Sequence, residues 1–289
     1  MNGRWVYSRR FPCGVLSLLL ATGALLLFAC QDTSSLPRPA GYRLEVPAHF
    51  PQPVIPADNP LTAEKIALGR RLFFDPILSS DSTISCGSCH IQARAFADER
   101  RLSRGVENRE GTRNAPALIN VVYGRSFFWD GSSPTLERQV LFPLEAPEEM
   151  NSSMAQAMER LRRHPEYPAL FRAAFGEDPT PNGLTDAIAA FERILISADA
   201  PFDRFRAGDS TALTPAQYRG MDLFFGEKAE CFHCHGGFNF TDEDFHSNGL
   251  DEVPADPGRW RLTGVESDRG LFKSPTLRNI AHTAPYMHD

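Results

Sequence analysis

Apolar residues recur at helical spacing in several stretches of the chain. One runs from near Thr62 to the triplet Leu72-Phe73-Phe74, another from Thr214 to Leu223-Phe224-Phe225. Thr214 reads as an N-cap and Pro215 as the first helical residue, where the missing proline N–H would have had no partner anyway. Met154–Arg163 and Gly183–Ser197 carry the same period, and a long helical segment is expected after Gly131. The densest apolar run, Val15 to Ala29, follows Arg4, Arg9 and Arg10 and stops at Cys30. A basic start, a short apolar centre and small closing residues read as an export signal over residues 1–30. Leu27-Phe28-Ala29-Cys30 resembles a bacterial lipoprotein box, which would make Cys30 a lipid anchor; an uncleaved membrane anchor is the alternative. Past the N-terminus no purely apolar run reaches about 18 residues, so no internal membrane span is expected.

The 289 residues suffice for two domains with separate cores, and the 23 prolines imply long ordered connections between elements. Residues 31–58 read as an extended linker. Removal of residues 1–29 takes away three arginines and no acids, moving the formal charge from −6 to −9. That balance argues against nucleic acid as a partner and permits a basic protein partner such as a small cytochrome.

Of six cysteines, Cys13 lies in the signal and Cys30 at its end. The other four form two pairs, each closed by a histidine: Cys86, Cys89 and His90, then Cys231, Cys234 and His235. C-x-x-C-H is the c-type haem attachment pattern. Two thiols one helical turn apart meet the two vinyl groups, and the adjacent histidine then faces the iron. A zinc site would need the pairs far closer than 145 residues. A redox dithiol does not require the histidine, which is present both times. His233, inside the second motif, reads as a spectator.

The chain repeats itself around these motifs. "APALINVVYGRSFFWDG" begins at Ala115 and "SPTLRNIAHTAPYMHD" at Ser274. At a constant offset of 159 residues Pro116 matches Pro275, Leu118 matches Leu277, Asn120 matches Asn279, Trp129 matches His288 and Asp130 matches Asp289. The expected architecture is all-α, two cytochrome c-like haem domains in tandem, 59–200 and 201–289. The second copy stops where the first continues, and the second domain is therefore read as truncated.

The two C-x-x-C-H motifs, with "RNAP", "FFWDG", "EEMN" and "TAPYMHD", resemble the bacterial dihaem cytochrome c peroxidases and their MauG relatives over roughly Asn59 to Asp289. The resemblance implies two covalently bound haem c groups, with His90 and His235 as iron ligands. The first haem would handle peroxide and the second would pass electrons to it. Trp129 would lie between them; read alone it is a plain core tryptophan. Gln139 and Glu149 would form the polar pair on the open face of the first haem, with Pro143 lining that pocket. A carboxylate there suits O–O cleavage, which needs a proton moved between the peroxide oxygens, and burial would bring its pKa toward neutrality. Without the family, Glu148 and Glu149 are an acidic helix start. A calcium ion is implied between the haems, held by Asn114 and the backbone carbonyls of Thr283 and Pro285.

Many relatives block the first haem with a second histidine shortly after the first motif. From Ile91 to Arg163 this chain has none, and Met150 is expected to pack beside Glu149, so the first iron is expected to be five-coordinate. MauG shares that absence and oxidises a protein substrate, but relays through a tryptophan two residues before the second motif, where this chain has Ala229. The family's distal ligand on the second haem lies downstream of His288, and Met287 matches the packing position Phe128. The resulting expectation is a periplasmic peroxidase reducing hydrogen peroxide with electrons from a small donor, a cytochrome c or a cupredoxin. A MauG-like protein oxidant and a non-enzymatic dihaem electron carrier are the alternatives, and a homodimer is compatible with each.

Overall fold

A computed structural model describes residues 41–289, which belong to one compact unit. The signal segment, Cys30 and the first part of the linker lie outside the described residues. The chain is mostly helical. We number the helices α1 Ala63–Phe74, α2 Cys86–Cys89, α3 Leu136–Gln139, α4 Leu141–Glu145, α5 Met154–Arg163, α6 Tyr167–Phe175, α7 Pro181–Arg193, α8 Pro201–Arg206, α9 Pro215–Phe224 and α10 Trp260–Thr263.

Caps explain where these helices begin. The side chains of Thr62, Ser153, Thr180 and Thr214 each accept a hydrogen bond from the third residue of the helix they open, satisfying an otherwise unpaired N–H. Proline follows Thr180 and Thr214 as first helical residue. The core lies where α1 crosses α7. Leu68, Leu72 and Phe73 bury against Ala187, Ile188 and Phe191, with Leu161, Tyr167 and Phe171 completing the layer. Gly69 makes the crossing: a Cβ there would lie 1.8 Å from the Ala187 carbonyl oxygen. Truncating Leu72 or Phe73, both wholly buried, would cost about 2–5 kcal/mol.

Two expected helices differ from the structure. The segment after Gly131 is not one long helix but the short turns α3 and α4, joined at Val140. Pro143 has no N–H to give the carbonyl of Gln139, so a continuous helix would lose a bond at that point. The helix expected over Gly183–Ser197 occupies Pro181–Arg193 instead. Its continuation is captured by tertiary contacts: Asn120 N–H donates to Leu195 O (2.7 Å), and Ser197 N–H donates to Asn120 Oδ1 (2.8 Å).

The all-α expectation also needs one correction. Strands β1, Phe245–His246, and β2, Phe272–Lys273, pair antiparallel, with Phe245 opposite Lys273. Strands of two residues carry no readable alternation.

The repeat has a backbone counterpart. Asn120 and Asn279 adopt left-handed φ of 58° and 57°, each opening a 3₁₀ turn, Val121–Tyr123 and Ile280–His282. Phe128 and Met287 follow at 66° and 71°. Non-glycine residues rarely adopt such angles, so their recurrence at one offset is specific. Burial is unequal, however. Among the described residues every buried apolar side chain lies between Phe50 and Phe191, while residues 201–289 bury the polar side chains Asp203, Asn239, Ser274 and Arg278. Among the described residues no helix is long and apolar enough to cross a membrane.

Candidate functional site

Each C-x-x-C-H motif closes one helical turn. His90 N–H donates to Cys86 O, and His235 N–H to Cys231 O, both at 2.9 Å. Each chain then folds back under its histidine ring. His90 Nδ1 donates to Phe96 O (2.8 Å), and His235 Nδ1 to Phe240 O (3.1 Å). A carbonyl can only accept, so Nδ1 carries a proton and Nε2 is the nitrogen left to face a metal. Phe96 and Phe240 both have left-handed φ, 60° and 52°, which turns their carbonyls toward the rings. Burial lowers the His90 pKa, holding the ring neutral as a ligand must be.

All four motif cysteines are free thiols. Burial pushes the Cys86 thiol up strongly, Cys89 up to about 11, and Cys234 up as well. A redox dithiol needs a depressed pKa, so Cys86, Cys89 and Cys234 are not activated thiolates. Aromatic rings surround both motifs. Phe73 lies 6.3 Å from His90 and against Phe96 and Phe191; Phe224 and Phe202 lie against Phe240 at 5.9 and 4.9 Å. Paired thiols, imidazoles anchored through Nδ1 and flanking aromatic walls fit covalent haem c at both motifs. His233 is exposed and stacks on Phe232, away from these walls.

Glu149 sits in a turn stitched to two other loops. Its carbonyl accepts from Val106 N–H (2.8 Å), and the Met150 carbonyl accepts from Ser80 N–H (2.9 Å). Gly105 makes that approach: a Cβ there would lie 2.2 Å from Glu148 O and 2.4 Å from Glu149 O. Burial, then the neighbouring Glu148 charge, push the Glu149 carboxyl up to about 7. Such an acid can give or take a proton near neutral pH. Gln139 is half-buried at the end of α3, and Pro143 lies in α4, its carbonyl accepting from Met150 N–H (3.1 Å). No hydrogen bond joins Gln139 to Glu149. Met150 is buried in the main core.

Trp129 is a junction. Its indole N–H donates to Asn114 O (2.9 Å), its carbonyl accepts from Lys273 N–H (2.7 Å), and its ring meets His288. Buried Asn114 donates its N–H to His288 O (2.7 Å) and its amide to Arg100 O (2.9 Å), and among the described residues its Oδ1 accepts no hydrogen bond. Among the described residues the Thr283 and Pro285 carbonyls likewise accept none. These three oxygens suit a hard cation, and among the described residues Asn114 is tied to that segment through His288.

Four residues that sequence reasoning passed over shape the site. Gly105 carries the Glu149 turn. Asp98 is fully buried with one oxygen unpartnered, and its charge favours the protonated form of His90. Glu192 is buried with Oε2 unpartnered, and is the strongest charge acting on the Cys86 thiol. Arg278 lies beneath the second motif. Only Arg278 stood inside a quoted motif; the others carry no signal beyond their residue type.

A family model described as di-haem cytochrome c peroxidase matches residues 63–211. The methylamine utilization protein MauG of Methylorubrum extorquens is 39% identical over 282 residues, spanning 94% of this chain and 79% of that protein. The cytochrome c peroxidase Ccp of Escherichia coli is 40% identical over 252 residues, 84% of this chain and 54% of that protein. Among solved structures, a MauG-like protein associated with microbial copper homeostasis superposes with a TM-score of 0.81 at 41% identity, covering 86% of this chain and 78% of that one. The diheme peroxidase BthA from Burkholderia thailandensis superposes at 0.70 and 27% identity, covering 79% and 68%. With its paired haem motifs so placed, the chain belongs to the di-haem cytochrome c peroxidases, a family of peroxidase oxidoreductases.

Proposed function

We propose that this protein reduces hydrogen peroxide to water in the periplasm, drawing electrons from a small donor protein such as a cytochrome c or a cupredoxin. The observation that carries the reading is Glu149, an acid with a pKa near 7 held by Gly105 and Val106 in the half of the chain that carries the first motif. A haem c at each motif supplies the iron that exchanges electrons with peroxide and donor. The chain's own residues do the rest. Cys86 and Cys89 tether the first group and Cys231 and Cys234 the second. His90 and His235 present Nε2 to the irons, each ring oriented by its carbonyl partner. The Glu149 carboxyl holds a proton and moves it from one peroxide oxygen to the other, with Gln139 fixing the oxidant. Two protons and two electrons per peroxide yield two waters. Trp129 couples the two halves through its contacts with Asn114 and Lys273.

The division into haem domains 59–200 and 201–289 belongs to this proposal, supported by the repeated backbone angles. So does calcium at Asn114, Thr283 and Pro285, supported by their unengaged oxygens. Steady-state turnover with peroxide and a reduced cytochrome tests the activity; no turnover by protein carrying two haems removes it.

A second reading has specific support. The histidine-free stretch from Ile91 to Arg163 and the likeness to MauG favour oxidation of residues in a partner protein. Ala229, at the position of the MauG relay tryptophan, speaks against it. A mass change in a co-purifying protein after peroxide addition, without cytochrome turnover, decides for that reading.

A further inference from the structure

The two histidines make the same hydrogen bond, yet different physics holds the acceptor. At the first motif the carbonyl belongs to Phe96, whose buried ring packs in the apolar core between Phe73 and Phe191. Its loop is closed by the bridge between Ile91 and Ala97. At the second motif the carbonyl belongs to Phe240, and the main apolar core does not extend there. In its place stands a buried ion pair. Arg278 donates to both oxygens of Asp203 (2.8 and 2.7 Å), and the two side chains are 3% and 1% exposed. The same guanidinium donates through Nε (2.9 Å) and Nη2 to Phe238 O, and lies over the rings of Phe240 (5.4 Å) and Phe50 (4.7 Å). At the repeat offset of 159 the residue matching Arg278 is Ile119, buried in the apolar core.

We propose that the Asp203–Arg278 pair is a positioning device for the second motif, fixing the 238–240 turn so that Phe240 O accepts from His235 Nδ1, and thereby setting the electron affinity of the second haem separately from the first. The inference rests on His235 ligating that haem. The Nδ1–H bond governs how strongly an imidazole donates to its metal, so a displaced acceptor weakens the donation and favours the reduced iron. A guanidinium suits this role because its planar fork serves the carboxylate and the carbonyl at once, which a lysine ammonium cannot do with the same geometry. Chain connectivity would not supply it: Asp203 opens the segment before the motif, and Arg278 lies far beyond it.

The test uses the full chain carrying both haems, with Arg278→Lys, Arg278→Leu and Asp203→Asn. Haem content per chain, by the pyridine haemochrome assay, checks the underlying reading; a wild-type chain without haem at Cys231 and Cys234 removes that reading. Spectroelectrochemical titration then resolves the two irons. In Arg278→Lys and Arg278→Leu the reduced-to-oxidised ratio of the second haem should rise about tenfold at fixed potential, equivalent to about 59 mV for one electron, with the first unchanged. Loss of covalent haem from the second motif alone also supports the proposal. Wild-type behaviour in Arg278→Lys, equal shifts at both irons, or loss of both haems overturns it. If Arg278→Leu does not accumulate, the same outcomes are read from Arg278→Lys and Asp203→Asn.

Discussion

Trp129 and His288 occupy equivalent positions in the two copies of the repeat and meet edge to face, with ring centroids 6.3 Å apart. His288 stacks in turn on Phe272 at 3.7 Å and gives its carbonyl to Asn114 N–H. Trp129 therefore touches both copies at once, through Asn114 on one side and Lys273 and His288 on the other. Trp129→Phe keeps a ring but deletes the donor to Asn114 O, costing about 1 kcal/mol of stability. Turnover with a reduced donor should fall by about tenfold if coupling runs through this ring. Stopped-flow equilibration of the two haems, at matched haem content, separates lost coupling from lost stability.

Glu149→Gln should lower peroxide turnover by about 10²–10⁴-fold, the usual worth of a positioned acid–base group, while leaving both haems attached. The wild-type rate should show a pH limb near 7, where burial and Glu148 place the Glu149 carboxyl, and the glutamine variant should lack it. Unchanged rates would remove Glu149 from the mechanism.

Gly105→Ala adds one methyl group and no charge. The new Cβ meets backbone oxygens rather than flexible side-chain ends, so the turn carrying Glu149 must move. Turnover should drop toward that of the glutamine variant while the haem spectra change little. Full activity in Gly105→Ala would mean that the turn is free to shift.

The Glu192 carboxyl is pushed up to about 8, first by burial, with Arg193 partly opposing and Glu137 reinforcing. In the folded chain it keeps its proton where the unfolded chain has lost it. Between about pH 4.5 and 8 the native state therefore binds more protons, and its contribution to stability falls as pH rises, by at most about 1.4 kcal/mol per pH unit. Chemical denaturation across that window should show the decline, and Glu192→Gln should flatten it.

No histidine lies between Ile91 and Arg163, and Met150 is committed to the core. The fully oxidised protein should accordingly show a high-spin component from the haem at His90. A purely low-spin spectrum from both haems would contradict an open first iron.

Local features were legible in the sequence because their causes are local. The two C-x-x-C-H motifs state their thiols and imidazoles outright, and one helical turn suffices to present them. Thr62, Thr214 and Pro215 announced helix starts because capping is settled within four residues. The repeat at 159 residues was readable because it is written in residue identity, and the matched left-handed angles at Asn120 and Asn279 follow it.

Partners distant along the chain were decided only by tertiary structure. Helix α7 ends at Arg193 because Asn120, 77 residues before Ser197, takes the backbone of Leu195 and Ser197. Glu149 acquires its pKa first from burial, with the adjacent Glu148 charge adding to it, and that burial comes from a loop that Gly105 admits, which the Glu148-Glu149 pair does not encode. Arg278 lies within the second copy of the repeat, yet its hydrogen bonds go to Asp203 and Phe238, which no spacing rule connects to it. Desolvation and packing depend on everything that folds over a group. The sequence could therefore name residue types and local turns, and the fold set their burial, their support and their orientation.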